Sequence, residues 1–207
     1  MSSVSVSKVA LWIDGREVEA TGGRCGEVTD SATGEVVKLV PFGSVDDVNA
    51  AVASSLSSWT AWTLTPPLQR ARVLMRARDL LDKRKEELAK IITLEHGKTL
   101  ADAVGSVQRG IEVVEFATGI PHLLKGEHSD NVGGGIDSHT LKQSLGVCAG
   151  ISPFNFPVMV PMWMVPVALV CGNTFVLKPS EKDPSASMLI AKIFQEAGLP
   201  NGVLNIV

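Results

Sequence analysis

The 207-residue sequence predicts an α/β protein, a helical N-terminal part leading into half of a parallel Rossmann-like sheet. Three observations point there. From residue 144 onward, strand-like and helix-like runs alternate as strand–helix–strand–helix–strand, a spacing that favours parallel pairing with right-handed crossovers. No charged residue falls in the 35 positions between Lys142 and Lys178, as expected of segments buried on both faces of a parallel sheet. Hydrophobic residues make up 45% and charged residues 20%, enough apolar material for a sizeable core and too little charge for a disordered chain.

The elements follow in order. Residues 8–13 form a short apolar run, Asp14-Gly15 is a hairpin turn signal, and residues 17–20 supply the return strand. Ala32-Thr33-Gly34-Glu35 reads as a further turn leading into a strand over 36–40. Ser44 is a helix N-cap, with Asp46 and Asp47 complementing the dipole of a helix over 45–62. Both acids read as helix-surface groups, as do Glu86 and Glu87. Thr65-Pro66-Pro67 opens a long helix to about residue 95, its prolines in the tolerated first turn and Gly97 available to end it. Another helix covers about 100–124. Residues 132–136, with three consecutive glycines, make a flexible or tightly turned connection. Strands follow over 144–152, 174–177 and 203–207, with helices over 158–171 and 184–197. In this reading the last strand ends the sheet as an unpaired apolar edge, an aggregation hazard.

Several function classes are excluded. A net charge of −3 offers no global basic field for nucleic acid. Three widely separated cysteines, Cys25, Cys148 and Cys171, make no disulfide framework and point to a reducing compartment. No targeting segment is evident at the N-terminus, so the expectation is a cytoplasmic protein. The uncharged stretch is long enough for a bilayer span, but Pro157, Pro161 and Pro166 punctuate it and glycines bracket it, favouring a buried strand and helix. His96, His122, His128 and His139 show no metal-ligand spacing, and no metal is expected.

In sheets of this kind ligands bind outside the carboxyl ends of the strands. Two polar clusters fall there, Ser152-Pro153-Phe154-Asn155 and Lys178-Pro179-Ser180-Glu181-Lys182, about one βαβ unit apart. Lys178 and Glu181 together suit a ribose, the ammonium donating and the carboxylate accepting from vicinal hydroxyls. Glu181 would also repel a 2′-phosphate, favouring NAD over NADP. Taken alone, the same pair reads more readily as a strand-end lysine and a helix-start glutamate, ordinary charges in water. Asn155 could donate its amide to a developing oxyanion, or simply satisfy a turn. No Gly-x-Gly-x-x-Gly follows the first strand, and Gly133-Gly134-Gly135 is no substitute, because it neither follows a buried strand nor opens a helix.

A resemblance bears on these alternatives. Ile151-Ser152-Pro153-Phe154-Asn155-Phe156-Pro157 and Gly172-Asn173-Thr174-Phe175-Val176-Leu177-Lys178-Pro179-Ser180-Glu181 resemble the aldehyde dehydrogenase superfamily. So, in matching order, do Leu94-Glu95-His96-Gly97-Lys98-Thr99-Leu100 and Gly198-Leu199-Pro200-Asn201-Gly202-Val203. The run from Pro153 to Met164, with Phe154 where many relatives carry Trp, is most similar to the CoA-acylating methylmalonate-semialdehyde dehydrogenases. The resemblance implies that Asn155 is an oxyanion-hole amide. It also implies that Ser152, Phe154, Lys178, Glu181 and Lys182 line the adenosine and ribose of NAD. Arg109 would recognise a substrate carboxylate, a role suited to a bidentate guanidinium, whereas its residue type alone reads as a helix-surface arginine.

The same resemblance implies a homo-oligomer in the full-length family, with residues 126–145 as an oligomerisation strand segment between a part at 1–125 and a Rossmann-like unit at 146–207. It also implies a small aldehyde and CoA as partners. Family members use a cysteine thiolate as nucleophile, and here the expectation is a truncated form of the family fold that lacks it. Cys148 sits in an apolar strand, Cys171 at an apolar helix end and Cys25 in a Gly-rich loop. None has an adjacent His or helix N-terminus to lower its pKa. The chain alone is therefore expected to be inactive. Succinate-semialdehyde or betaine-aldehyde specificity, a nucleotide-binding module, and a protein docking through its exposed sheet edge are the rival expectations.

Overall fold

The computed structural model describes residues 7–207. Its strands and helices are, in chain order, β1 (Ser7–Lys8), β2 (Leu11–Ile13), β3 (Arg16–Val18), β4 (Cys25–Thr29), β5 (Val36–Pro41), α1 (Val45–Leu64), α2 (Pro67–Lys83), α3 (Lys85–His96), α4 (Leu100–Thr118), α5 (Ile120–Leu123), β6 (His128–Gly133), β7 (Ile136–His139), β8 (Val147–Ile151), α6 (Met159–Val170), β9 (Thr174–Lys178), α7 (Ser185–Glu196) and β10 (Leu204–Ile206). The main sheet runs β3-β2-β10-β9-β8, with β8, β9 and β10 parallel as the alternation predicts. A second sheet runs β1-β5-β4, and β6 with β7 forms a separate hairpin.

Strand β9 shows why the uncharged stretch reads as it does. Its side chains alternate between two apolar layers: Phe175 and Leu177 join the large cluster containing Met162, Leu169, Ile193 and Phe194, while Val176 packs with Leu11, Ile13 and Ala51 on the other face. Burial on both faces favours apolar residues at successive positions rather than an alternation with polar ones. Helix α6 is 12 residues long, about 18 Å at 1.5 Å per residue. No helix among the described residues is long and apolar enough to cross a membrane.

Several local signals in the sequence correspond to the observed caps and turns. Ser44 caps α1 through a reciprocal capping box with Asp47, and Gly97 ends α3 at φ 88. Asp14 and Gly15 both take positive φ, 55 and 72, as a two-residue hairpin turn requires. Asp47 is not a surface acid, however; it is buried and accepts from the Thr21 and Ser44 backbones.

Four further expectations about the elements need correction. The long helix over 67–95 is two helices, broken at Arg84 (φ −104, ψ 15). No glycine or proline marks the break; packing of α2 and α3 against α4 and α7 sets it. The helix expected to reach residue 124 stops at Thr118, because Pro121 in the first turn of α5 cannot donate to a continuing helix. Cys25 lies in strand β4 rather than in a loop.

The fourth concerns the last strand. It is not an unpaired edge: β10 lies between β9 and β2, with Ile206 opposite Trp12. The N-terminal hairpin covers it and is held by a side chain. Asn205 is fully buried, accepts from the Asp14 backbone N–H at 2.9 Å, and donates to Ser55 Oγ at 2.8 Å and Gly202 O at 2.9 Å. The exposed edge of the parallel strands is β8, where Ile151 is 78% exposed.

Candidate functional site

The parallel register of β8 and β9 sets Ile151 opposite Lys178. The next residue extends the ladder: the Ser152 N–H donates to Lys178 O at 3.0 Å. The two polar clusters therefore start side by side at the carboxyl ends of adjacent strands. Past Ser152 the chain must turn toward α6, and Pro153 and Pro157 restrict how it does so. The turn leaves Phe154 and Asn155 exposed and Ser152 buried, with its hydroxyl unpartnered among the described residues.

On the second tip the Lys178 ammonium donates to the Glu181 carboxylate at 2.7 Å. That hydrogen bond is the main reason the Glu181 carboxyl is held below its usual range. Glu181 lies in the connection before α7 rather than at the helix start. Lys178, Pro179 and Glu181 border a cavity of about 390 Å³ whose walls also include Val9, Phe42 and Val207. Lys182 turns the other way and sets its ammonium 4.4 Å from the centre of the Phe154 ring, a cation–π contact between the tips. The structure thus joins Ser152, Phe154, Asn155, Lys178, Glu181 and Lys182 in one surface region.

Arg109 is not part of that cluster. It is exposed on α4, without a hydrogen bond or ion pair among the described residues. Its neighbour Gly110 lets α4 approach α6 closely; a Cβ there would stand 3.2 Å from Met162. Arg109 thus lies on a helix packed against α6, the helix that follows the Asn155 loop.

Several further groups lie beside the tips. Asp183 is 1% exposed, and neither carboxylate oxygen has a hydrogen-bond partner among the described residues. Burial pushes its pKa up to about 7; repulsion by Glu95 and Glu181 adds to this, while Ser180, close but outside hydrogen-bond geometry, and Lys98 oppose it. Asp183, His96, Glu95, Phe154 and Lys182 border a second cavity, of about 530 Å³. Glu95 is buried, accepting from Lys38 Nζ at 3.1 Å and from the Ser185 N–H of α7 at 3.1 Å. His96 stacks on Phe154 with ring centres 6.4 Å apart, and burial, then Lys98, holds its pKa below the ordinary value. The motif 94–100 was visible in the sequence; its position against both tips was not.

Two of the three cysteines, Cys148 and Cys171, are partly buried. Burial raises the thiol pKa of Cys148 and also that of Cys171, where nearby Arg70 offsets it only in part. Cys25 is exposed on β4, in the second sheet. On the exposed β6–β7 hairpin, ligand atoms of His128, Asp130 and Asp137 come within 4.8 Å of one another, a proximity that sequence spacing does not reveal.

Parallel strands with a crevice at their carboxyl ends, one tip bearing an exposed amide and the next a Lys–Glu pair, place the molecule among the doubly wound α/β proteins. Within that class the chain belongs to the aldehyde dehydrogenase family, whose family model matches residues 18–207. It is 51% identical over 191 residues to a malonate-semialdehyde dehydrogenase of Pseudomonas aeruginosa, covering 92% of this chain and 38% of that protein. A malonate-semialdehyde dehydrogenase of Bacillus cytotoxicus is 47% identical across the whole chain, which covers 43% of it. Among solved structures, a methylmalonate-semialdehyde dehydrogenase of Oceanimonas doudoroffii superposes with a TM-score of 0.95 at 51% identity, covering 97% of this chain and 41% of that one. A Sinorhizobium meliloti protein assigned to the same enzymes and complexed with NAD gives 0.97 at 46% identity, covering 99% and 42%. The chain spans about two-fifths of the length of these relatives and matches the N-terminal part of their fold.

Proposed function

We propose that this chain carries the nucleotide-binding and oxyanion-donating portion of an NAD-dependent aldehyde dehydrogenase. The substrate is malonate or methylmalonate semialdehyde, and CoA is the acyl acceptor of the whole enzyme. The observation that carries the reading is the pairing of the two tips, Ser152 N–H to Lys178 O, with the Lys178–Glu181 pair beside a cavity. The residues fit a nucleotide: the Lys178 ammonium can donate to a ribose hydroxyl while the Glu181 carboxylate accepts from its neighbour. The ionised Glu181 disfavours a 2′-phosphate. A bound NAD would supply the hydride acceptor. The chain's own part is to hold the nucleotide and to present the Asn155 amide, exposed and without a partner among the described residues, to an oxygen that gains negative charge. Arg109 offers the aldehyde's distal carboxylate a bidentate clamp.

The NAD complex of the Sinorhizobium protein and the malonate-semialdehyde enzymes among the relatives support this reading. We further assign the β6–β7 hairpin, with Val132 and Ile136 each 60% exposed, to self-association. We also infer that none of the three cysteines here acts as nucleophile, so the chain alone turns over no aldehyde.

Isothermal titration with NAD tests the core of the reading. Saturable binding that is weakened about tenfold or more in Glu181→Ala is expected; no heat at millimolar NAD overturns it. Reduction of NAD by the isolated chain with malonate semialdehyde and CoA would refute the assignment of inactivity.

A further inference from the structure

The Asn155 amide has no hydrogen bond of its own among the described residues, so its aim is inherited from the backbone at Asn155. That backbone is held from a distant part of the chain. Lys98, in the turn between α3 and α4, donates its ammonium to the Asn155 carbonyl and lies 4.0 Å from the centre of the neighbouring Phe156 ring. The Lys98 ammonium is half-buried and faces the carboxylates of Asp183 and Asp102, which favour its charged form against the desolvation that disfavours it. The rest of the turn grips the same region. His96 stacks on Phe154 of the first tip, and Glu95 binds the first N–H of α7, the helix that follows the second tip. Behind it, Ser31 Oγ donates to Glu95 O at 2.7 Å, tying the turn to the second sheet.

We propose that Lys98 is a positioning residue that fixes the loop carrying the Asn155 amide, and that the Glu95–Lys98 turn anchors both tips against each other. The physical requirement is simple. An oxyanion donor contributes only if it is held in place before charge develops, and a loop of seven residues with an exposed phenylalanine and asparagine has little burial of its own to order it. A charge-assisted bond to its carbonyl, reinforced by cation–π contact with Phe156, supplies that order from one side chain. The inference deepens the nucleotide-site reading by adding a residue that touches neither nucleotide nor aldehyde.

The test uses the 207-residue chain and two variants, Lys98→Met and Lys98→Arg. Methionine keeps the apolar stem and removes the donor; arginine restores a donor able to stack on Phe156. Backbone order parameters of Phe154, Asn155 and Phe156 are measured by 15N relaxation, together with urea midpoints and NAD titrations. Values near 0.85 are expected in the native chain and in Lys98→Arg, falling below about 0.6 in Lys98→Met. NAD affinity should fall about tenfold in Lys98→Met and return to within threefold in Lys98→Arg, as loss and recovery of one charge-assisted bond imply. The urea midpoint should not move enough to explain the change.

Rigid Phe154–Phe156 in a folded Lys98→Met chain overturns the proposal. If the native chain fails to bind NAD, the nucleotide reading falls, while the relaxation data still decide the role of Lys98. Should Lys98→Met fail to fold, Phe156→Leu removes the ring platform instead and must loosen the same three residues.

Discussion

Replacing Asp183 by asparagine isolates the one carboxyl in this molecule that is buried without a hydrogen-bond partner among the described residues. Its pKa in the folded chain is about 7, against an ordinary 3.8, chiefly because burial penalises the charged form. Unfolded chains lose this proton around pH 3.8, whereas the folded chain keeps it until about pH 7. Between those values the folded state binds more protons, so stability must fall as pH rises, and it levels off above pH 7. Three pH units at 1.36 kcal/mol each give a decline on the order of 4 kcal/mol. The 530 Å³ cavity beside the carboxyl has room for solvent, which makes that an upper figure. It is a large fraction of the 5–15 kcal/mol typical of a folded domain. Asparagine has the same shape and does not titrate. His96, with its pKa depressed, acts in the opposite sense, but it is common to both chains and cancels in their difference. Urea unfolding of both chains from pH 4 to pH 8, followed by tryptophan fluorescence, should show the native chain losing stability relative to Asp183→Asn by about 2–4 kcal/mol. A difference that stays flat across that range would refute the claim that Asp183 is buried as an acid.

Three further outcomes follow from the hairpin and the thiols. Asn205→Ala strips the partner from the Asp14 N–H and from Ser55, and should cost about 2–3 kcal/mol in urea unfolding; proteolysis should then cut first near residues 9–24. Gly15→Ala should be destabilising by at least about 1 kcal/mol, because the residue sits at φ 72 and a Cβ there would lie 2.1 Å from Asn201 Oδ1; an unchanged thermal midpoint would contradict the docking of this turn. With an aromatic disulfide reagent at pH 8, Cys25 should react rapidly and Cys148 and Cys171 slowly, since burial raises both of their pKa values. A rapid phase that survives in Cys25→Ser would reopen the question of a resident nucleophile.

The site was legible in the sequence to the extent that its parts lie at the ends of consecutive parallel strands. Alternation of strand and helix places Ser152 next to Lys178 without any knowledge of side chains, because a βαβ unit returns the chain to the same edge of the crevice. Ion pairs three residues apart, such as Lys178 with Glu181, are equally local. Lys98 and Asn155 are 57 positions apart, joined across a helix pair whose mutual packing no periodicity specifies. Asp183 was hidden for a different reason: an acid in a polar run between a strand and a helix looks solvated, and only the approach of α3 and the two tips buries the carboxyl. Breaks without breaker residues, such as Arg84, belong to the same category, since tertiary packing places them.

The covered edge of β10 carries the more general lesson. Read as an apolar run, residues 203–207 look like a strand awaiting a partner, and that view treats Asn205 as an accident in its middle. A buried amide without partners costs more than an apolar side chain gains in that position, so an asparagine at the centre of an otherwise apolar strand is itself evidence of groups waiting to meet it. Here those groups are the N–H of Asp14, the hydroxyl of Ser55 and the carbonyl of Gly202. The first belongs to the hairpin turn, 191 positions earlier in the chain. The side chain therefore specifies which segment closes the sheet: a second apolar strand could cover Leu204 and Ile206 equally well, but only one whose turn presents a free N–H at that point satisfies Asn205.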